Sequence, residues 1–197
     1  PWAERKHMVP NESPNDSPLE QLAAVVIGGG EASNIGSVTG MAMPPIEQWN
    51  PAFCGDLDME IRADGSWWHE STPIKRLELV KLFASILRRE SDGFYYLITP
   101  VEKVRIRVLL HPLLVIDAEP LPGTLPETLV LTLNTGGQIL LDGNHLLATE
   151  PRAADAAYVN LSRGLTALFS RPAWYRLVDR LDDQGALHSA GLRFPLA

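Results

Sequence analysis

The chain has one cysteine, Cys54, in 197 residues. No internal disulfide can form, so a reducing compartment, the cytoplasm, is the expected location. No stretch approaches the ~20 apolar residues that span a bilayer, and no membrane partner is expected. The start lacks the basic-then-apolar order of a signal peptide. It is Pro1 rather than a methionine, which leaves Met41 as a candidate true start. The five histidines, His7, His69, His111, His145 and His188, show neither H-x-x-H nor H-E-x-x-H spacing, so no zinc site is expected. Ser162 and Ser170 lie outside any nucleophile-elbow pattern, and Cys54 has no dedicated histidine partner. No catalytic residue is therefore assigned. Cations are outnumbered, 17 Lys and Arg against 24 Asp and Glu, and the net charge of −7 argues against general nucleic-acid binding.

What is there is ordinary globular composition, 45% hydrophobic and 21% charged. The densest signal runs from Gly55 to Val104. Asp58 to Arg62 alternates, with Met59 and Ile61 on one face and Asp58, Glu60 and Arg62 on the other. Asp64-Gly65 is a hairpin turn, and Ser66 to Glu70 returns with Trp67 and His69 opposite Trp68. Ser71 or Thr72 then caps a helix with Pro73 in its first turn. The helix is expected over Ile74 to Arg89, its stripe being Leu79, Leu82, Phe83, Ile86 and Leu87, with Arg88 and Arg89 in the last turn. Strands follow at Phe94 to Thr99 and at Val101 to Val108, the latter with Lys103, Arg105 and Arg107 on its polar face.

The remainder repeats the plan more loosely. Strands are expected at Leu113 to Glu119, Leu129 to Asn134, Gln138 to Asp142, His145 to Thr149 and Tyr158 to Leu161. A second helix is expected over Ser162 to Leu181, kinked by Pro172, and a last strand over Ala186 to Leu196. Leu79-x-x-Leu82-Phe83 and Leu165-x-x-Leu168-Phe169 match, which reads as an internal duplication. Residues 1–45 read as a flexible leader with a short helix at Leu19 to Ile27. Its Gly28-Gly29-Gly30 run has Ser33 at the third glycine position and no amphipathic helix after it, so no dinucleotide cofactor is expected. The fold class is α+β, with one unit over 46–110 and a similar one over 111–197.

Trp49-Asn50-Pro51, Cys54-Gly55-Asp56-Leu57-Asp58-Met59, Asp64-Gly65 with Trp67, Thr72-Pro73-Ile74, Val80-x-Leu82-Phe83, Leu87-Arg88-Arg89 and Tyr95-Tyr96-Leu97-x-Thr99-Pro100-Val101-Glu102-Lys103-Val104 form a long ordered series. Together they closely resemble the bacterial domain-of-unknown-function family numbered twelve eighty-five. The likeness is dense over Trp49 to Val104, thinner to Phe194-Pro195, and does not cover the first forty or so residues. It implies two similar α+β units, the second loosely like a pleckstrin-homology fold. It also implies a cleft between them for a small, nucleotide-like ligand, and a role in signalling. The chain departs from the family pattern at Asn134-Thr135-Gly136-Gly137, where acidic turn residues are expected.

Five residues are the candidate ligand contacts. Asp56 and Asp58, two apart on a strand, share a side; a metal or acid–base work are the chemistries such a pair can serve, and the calcium-loop pattern is missing. Arg88 and Lys103 are the cations that also fall in the family series, suited to a phosphate or carboxylate. Tyr96 offers a ring for stacking. The ordinary readings are a solvated charged face and core aromatics. The function expected is a binding module for a small anionic ligand, passing a change in packing to a protein partner. The alternatives are an enzyme acting on a nucleotide or phosphoester through Asp56 and Asp58 with Arg88 or Lys103, and an interaction scaffold without a ligand.

Overall fold

The computed structural model describes residues 44–196. The expected leader helix, the glycine run and Met41 lie outside the described residues. Fourteen strands and two α-helices follow Pro44, interrupted by short 3-10 turns. The first unit holds β1 (Phe53–Ile61), β2 (Trp67–His69), β3 (Thr72–Pro73), α1 (Leu77–Ser85), β4 (Leu87–Arg89), β5 (Tyr95–Ile98) and β6 (Lys103–Val108). The second holds β7 (Leu113–Pro120), β8 (Leu129–Leu133), β9 (Gln138–Leu140), β10 (Leu147–Glu150), β11 (Ala156–Asn160), β12 (Thr166–Phe169), α2 (Arg171–Val178), β13 (Ala186–Ser189) and β14 (Leu192–Pro195).

The fold is α+β and built on two similar six-stranded sheets. The first runs β3-β2-β1-β6-β5-β4 and the second β10-β11-β12-β7-β8-β9. Read backwards, the second order is the first with six added to every strand number. Each sheet is two antiparallel three-stranded meanders, joined where the first strand of one pairs in parallel with the last strand of the other: β1 with β6, and β7 with β12. The helix is placed differently. In the first unit α1 joins the two meanders, whereas in the second α2 follows them and leads into the β13–β14 hairpin.

Local chemistry accounts for the elements. Along β8, Leu129, Leu131 and Leu133 are buried and Val130 and Thr132 are not, the alternation of a sheet with one face on the core. Asp64 accepts from the Ser66 amide at 2.9 Å and from its hydroxyl at 2.6 Å, which fixes the β1–β2 turn. Val80, Phe83 and Ala84 form the buried stripe of α1, and the Phe83 ring stacks on buried Trp67 at 6.1 Å. One contiguous core takes residues from both units, from Met59, Trp67 and Phe83 to Val115, Phe169 and Leu187.

Both expected helices are corrected. The first is α1 alone, Leu77–Ser85, with Arg76 as N-cap; Thr72–Pro73 is a strand and Arg88 and Arg89 sit on β4. Ile86 and Leu87 prolong the helical spacing, but both are fully buried, where strand and helix look alike in sequence. The second expected helix is three elements: a 3-10 turn at Ser162–Gly164, β12 and α2. Pro172 stands in the first turn of α2, where its missing N–H costs nothing, rather than at a kink. The Leu165–Phe169 match to α1 is therefore not a helical repeat, and the duplication rests on the strand order.

Candidate functional site

The two faces of the first sheet differ. Cross-strand partners share a face, and the register places Arg88 opposite Tyr96, Tyr96 opposite Arg105, and Arg105 opposite Asp56. These four side chains form one row across β4, β5, β6 and β1, about 14 Å long at the usual strand spacing. Lys103 lies two residues before Arg105 on the same strand face. Asp58 follows Asp56 in a bulge, where four steps along β1, Asp56 to Glu60, match two along β6, Arg105 to Arg107. The bulge opens a groove of about 870 Å³ whose lining includes Asp56, Asp58, Phe94, Arg105 and Arg107.

Every cation of this row is held. Asp56 takes two parallel bonds from Arg105, at 2.6 and 2.8 Å, and hydrogen bonding to this guanidinium is the main reason its carboxyl titrates below the usual range. Arg107 lies 3.6 Å from Asp58 and 3.3 Å from Glu60. Arg88 donates to Glu90 at 2.5 Å and to the Ile46 carbonyl at 3.0 Å, and Lys103 reaches the other Glu90 oxygen at 3.3 Å. The bond from Arg88 holds the Glu90 carboxyl low. Tyr96 donates to Asp92 at 2.7 Å, and its ring is covered by Lys103 and by the edge of Phe53.

The five candidate residues thus share one sheet face, but only Asp56 and Asp58 line the groove. Every lining residue of the groove comes from the first unit, from Asp56 to Leu109. Arg88 and Lys103 are tied by Glu90 beside it, and Tyr96 is buried. Among the described residues no group of three or more His, Cys, Asp or Glu is placed to hold a metal ion.

The sequence reading left out Phe53 and Phe94. Both are half exposed, and both flank Arg105, whose guanidinium lies 5.9 Å from the Phe53 ring and 4.8 Å from the Phe94 ring. Alternation was a signal for Phe94 alone. Phe94 is two residues before Tyr96 and so shares its face, whereas Phe53 stands opposite Lys103 only through the register shift between Phe53 and Gly55, which alternation does not report.

The comparisons agree with this architecture. Two family profiles match the chain: the domain of unknown function DUF1285, N-terminal domain, over residues 44–109, and the protein of unknown function DUF1285, C-terminal domain, over residues 112–196. The chain belongs to the DUF1285 family. A DUF1285 family protein from Silicibacter pomeroyi DSS-3 has a similar crystal structure, with 36% identity, a TM-score of 0.72, and coverage of 88% of this chain and 93% of that one. A second, from Shewanella baltica OS155, has 32% identity and a TM-score of 0.53 over 64% of this chain and 94% of its own. No curated protein matches the sequence. At the Asn134–Gly137 turn the structure places Gly136 beside Lys81, 3.6 Å from Lys81 Cε to a Cβ built on the glycine. Lys81 pairs with Glu78 at 2.9 Å.

Proposed function

We propose that the chain is a binding module for a small anionic ligand carrying an aromatic ring, of nucleotide type, seated in the groove of the first sheet. The observation behind this reading is the Phe53–Arg105–Phe94 arrangement: a guanidinium between two half-exposed rings, beside a bulge that opens a groove. A flat ring gains by stacking on an exposed phenylalanine, and a phosphate gains a bidentate contact from Arg105 with Arg107 next to it. Asp56 and Asp58 occupy these guanidinium groups in the free protein. Both carboxylates are mostly exposed, 63% and 62% for their side chains, so exchanging them for a phosphate costs little.

Arg88, Lys103 and Tyr96 belong to the same reading as supports, since Glu90 and Asp92 hold them against the ring cluster. An acid–base role for Asp56 finds no support in its geometry, because both oxygens are engaged by Arg105. Signalling enters as a consequence: a ligand that releases Asp56 and Asp58 frees the bulged part of β1, and a protein partner reads the change. A pleckstrin-homology-like second unit is part of this reading, supported by a sheet followed by a helix. A reducing, cytoplasmic setting is likewise part of it, supported by the single exposed cysteine. Among the described residues no helix is long and apolar enough to cross a membrane.

The test is a thermal-shift panel of mononucleotides, cyclic dinucleotides and inorganic phosphate on the full chain. A nucleotide at ~100 times its dissociation constant adds ~2.7 kcal/mol of stability. The expected result is a rise in melting temperature with a nucleotide that Phe94→Ala reduces. A panel without any shift removes the proposal.

A further inference from the structure

A cavity of about 470 Å³ lies between the β1–β2 turn, the second sheet and the first turns of α2. Its floor is one face of that sheet. Leu168 pairs with Leu114 on one side and with Tyr158 on the other, and Ala156 stands two residues before Tyr158. Leu114, Leu168 and Ala156 therefore point the same way, and all three line the cavity. Gly65 packs on Leu114, which brings Ala63 and Asp64 of the β1–β2 turn to the edge of this floor. The roof is α2, where Arg171, Trp174 and Tyr175 stand at positions i, i+3 and i+4 and share one helix face. Ala63, Ala153, Ala154 and Ala156 contribute methyl groups alone, which leaves space that larger side chains would fill.

The lining carries two charged residues, Asp64 and Arg171, one of each sign. They do not pair with each other. Asp64 receives both Ser66 bonds, at 2.9 and 2.6 Å, on Oδ1, so Oδ2 has no donor among the described residues. The same bonds, the hydroxyl first, hold the Asp64 carboxyl below the usual range, and it is an anion at pH 7. Arg171 forms no ion pair among the described residues, whereas the next two arginines in the chain do, Arg176 with Asp117 and Arg180 with Glu127. Ser170 also lines the cavity, and its hydroxyl makes no cap bond to α2.

We propose that this cavity binds an apolar α-amino acid, with the carboxylate on Arg171, the ammonium on Asp64 and the side chain against Leu114, Leu168 and Trp174. A guanidinium offers a carboxylate two parallel N–H donors. An ammonium only donates, and Asp64 Oδ2 is an acceptor without a donor. The apolar side chain gains by leaving water for the sheet face, and a ring gains further on Trp174. The volume is that of a small-molecule pocket, about 300–1,000 Å³. The two charges also select against other anions. A simple carboxylic acid leaves Asp64 unmatched, and a nucleotide brings phosphate charge towards it. The site shares no residue with the groove of the first sheet, so the two proposals stand or fall separately.

The experiment is isothermal titration of L-phenylalanine and L-leucine into the full chain at pH 7. Each is compared with the acid that lacks its ammonium, 3-phenylpropionate or 4-methylpentanoate, and with the amine that lacks its carboxylate, 2-phenylethylamine or 3-methylbutylamine. The expected result is binding of at least one amino acid, with its acid and its amine each weaker by at least about tenfold. Arg171→Gln should weaken the amino acid by a similar factor and erase its advantage over the amine. Asp64→Asn keeps an oxygen for the Ser66 bonds and should erase the advantage over the acid. No binding heat with either amino acid overturns the proposal. So does an acid or amine that binds wild type as tightly as its parent, or undiminished binding in Arg171→Gln. The comparison in wild type decides the question even where a variant fails to fold.

Discussion

Gly65 and Leu114 touch across the two units. A Cβ built on Gly65 stands 2.8 Å from Leu114 Cδ1 and 3.2 Å from Asn134 Nδ2, and Gly65 has a φ of +78°. Leu114 cannot retreat freely, because its amide and carbonyl are both bonded to Asn134, at 3.0 and 2.9 Å. Glycine is thus required twice, by conformation and by space.

Gly65→Ala is expected to destabilise the chain by roughly 1–3 kcal/mol, from strain at a left-handed position together with the contact on Leu114. Denaturant melts of wild type and variant measure it. A pairing with Leu114→Ala relieves the contact and leaves the backbone part, so the double variant should recover part of the loss.

Arg163 pins the second unit to the segment that opens the first. Its side chain, 6% exposed, donates to Glu47 at 2.6 Å, to the Ser85 carbonyl at 2.7 Å and to the Pro44 carbonyl at 2.8 Å. Arg163→Ala leaves these acceptors without their donor and should cost about 3 kcal/mol. Arg163→Lys should restore little, because one ammonium cannot span the three directions a guanidinium serves. Hydrogen exchange should show early opening of the Ile46–Gln48 turn in both variants.

Much of this architecture was readable in sequence and some was not. Alternation at Met59 and Ile61, the Asp64-Gly65 turn, and Leu129, Leu131 and Leu133 each specify a strand or turn by local physics. The split of Trp67 and Trp68 between faces holds as well: Trp67 is in the core, while Trp68 lies under Arg62 at 3.5 Å. The element over Thr166–Phe169 was not legible, because Ala167, Leu168 and Phe169 are all buried, so polarity carries no period. The row Arg88, Tyr96, Arg105, Asp56 depends on strand pairing at separations such as Asp56 to Arg105, which no local pattern reports. For the same reason His111 read only as a break before Pro112. Its partners Glu150 and Thr166 lie 39 and 55 residues away.

Acid should weaken the fold in two separate windows. Burial holds the His111 pKa below its ordinary 6.5, so the unfolded chain binds more protons as pH falls from 6.5, and stability is lost with it. The groups facing the ring are Glu150, Arg152, Thr166 and Tyr158, and the burial cost outweighs the attraction of Glu150. Glu150 falls from 4.5 to about 2 on folding, so its stabilisation is complete above 4.5 and is lost between 4.5 and 2. His111→Gln should flatten the first window, and Glu150→Gln the second. Urea midpoints taken from pH 7 to pH 3 check both.

The most direct test of the binding proposal is isothermal titration of the nucleotide that gives the largest thermal shift into three proteins: wild type, Asp56→Ala and Arg105→Ala. The pairing in the groove predicts tighter binding in Asp56→Ala, since the carboxylate that competes with the phosphate is gone. It predicts weakening by at least about tenfold in Arg105→Ala, the loss of a charge-assisted bidentate contact. Equal affinities in all three proteins, or no binding heat in any, would contradict the placement of the ligand on the first sheet.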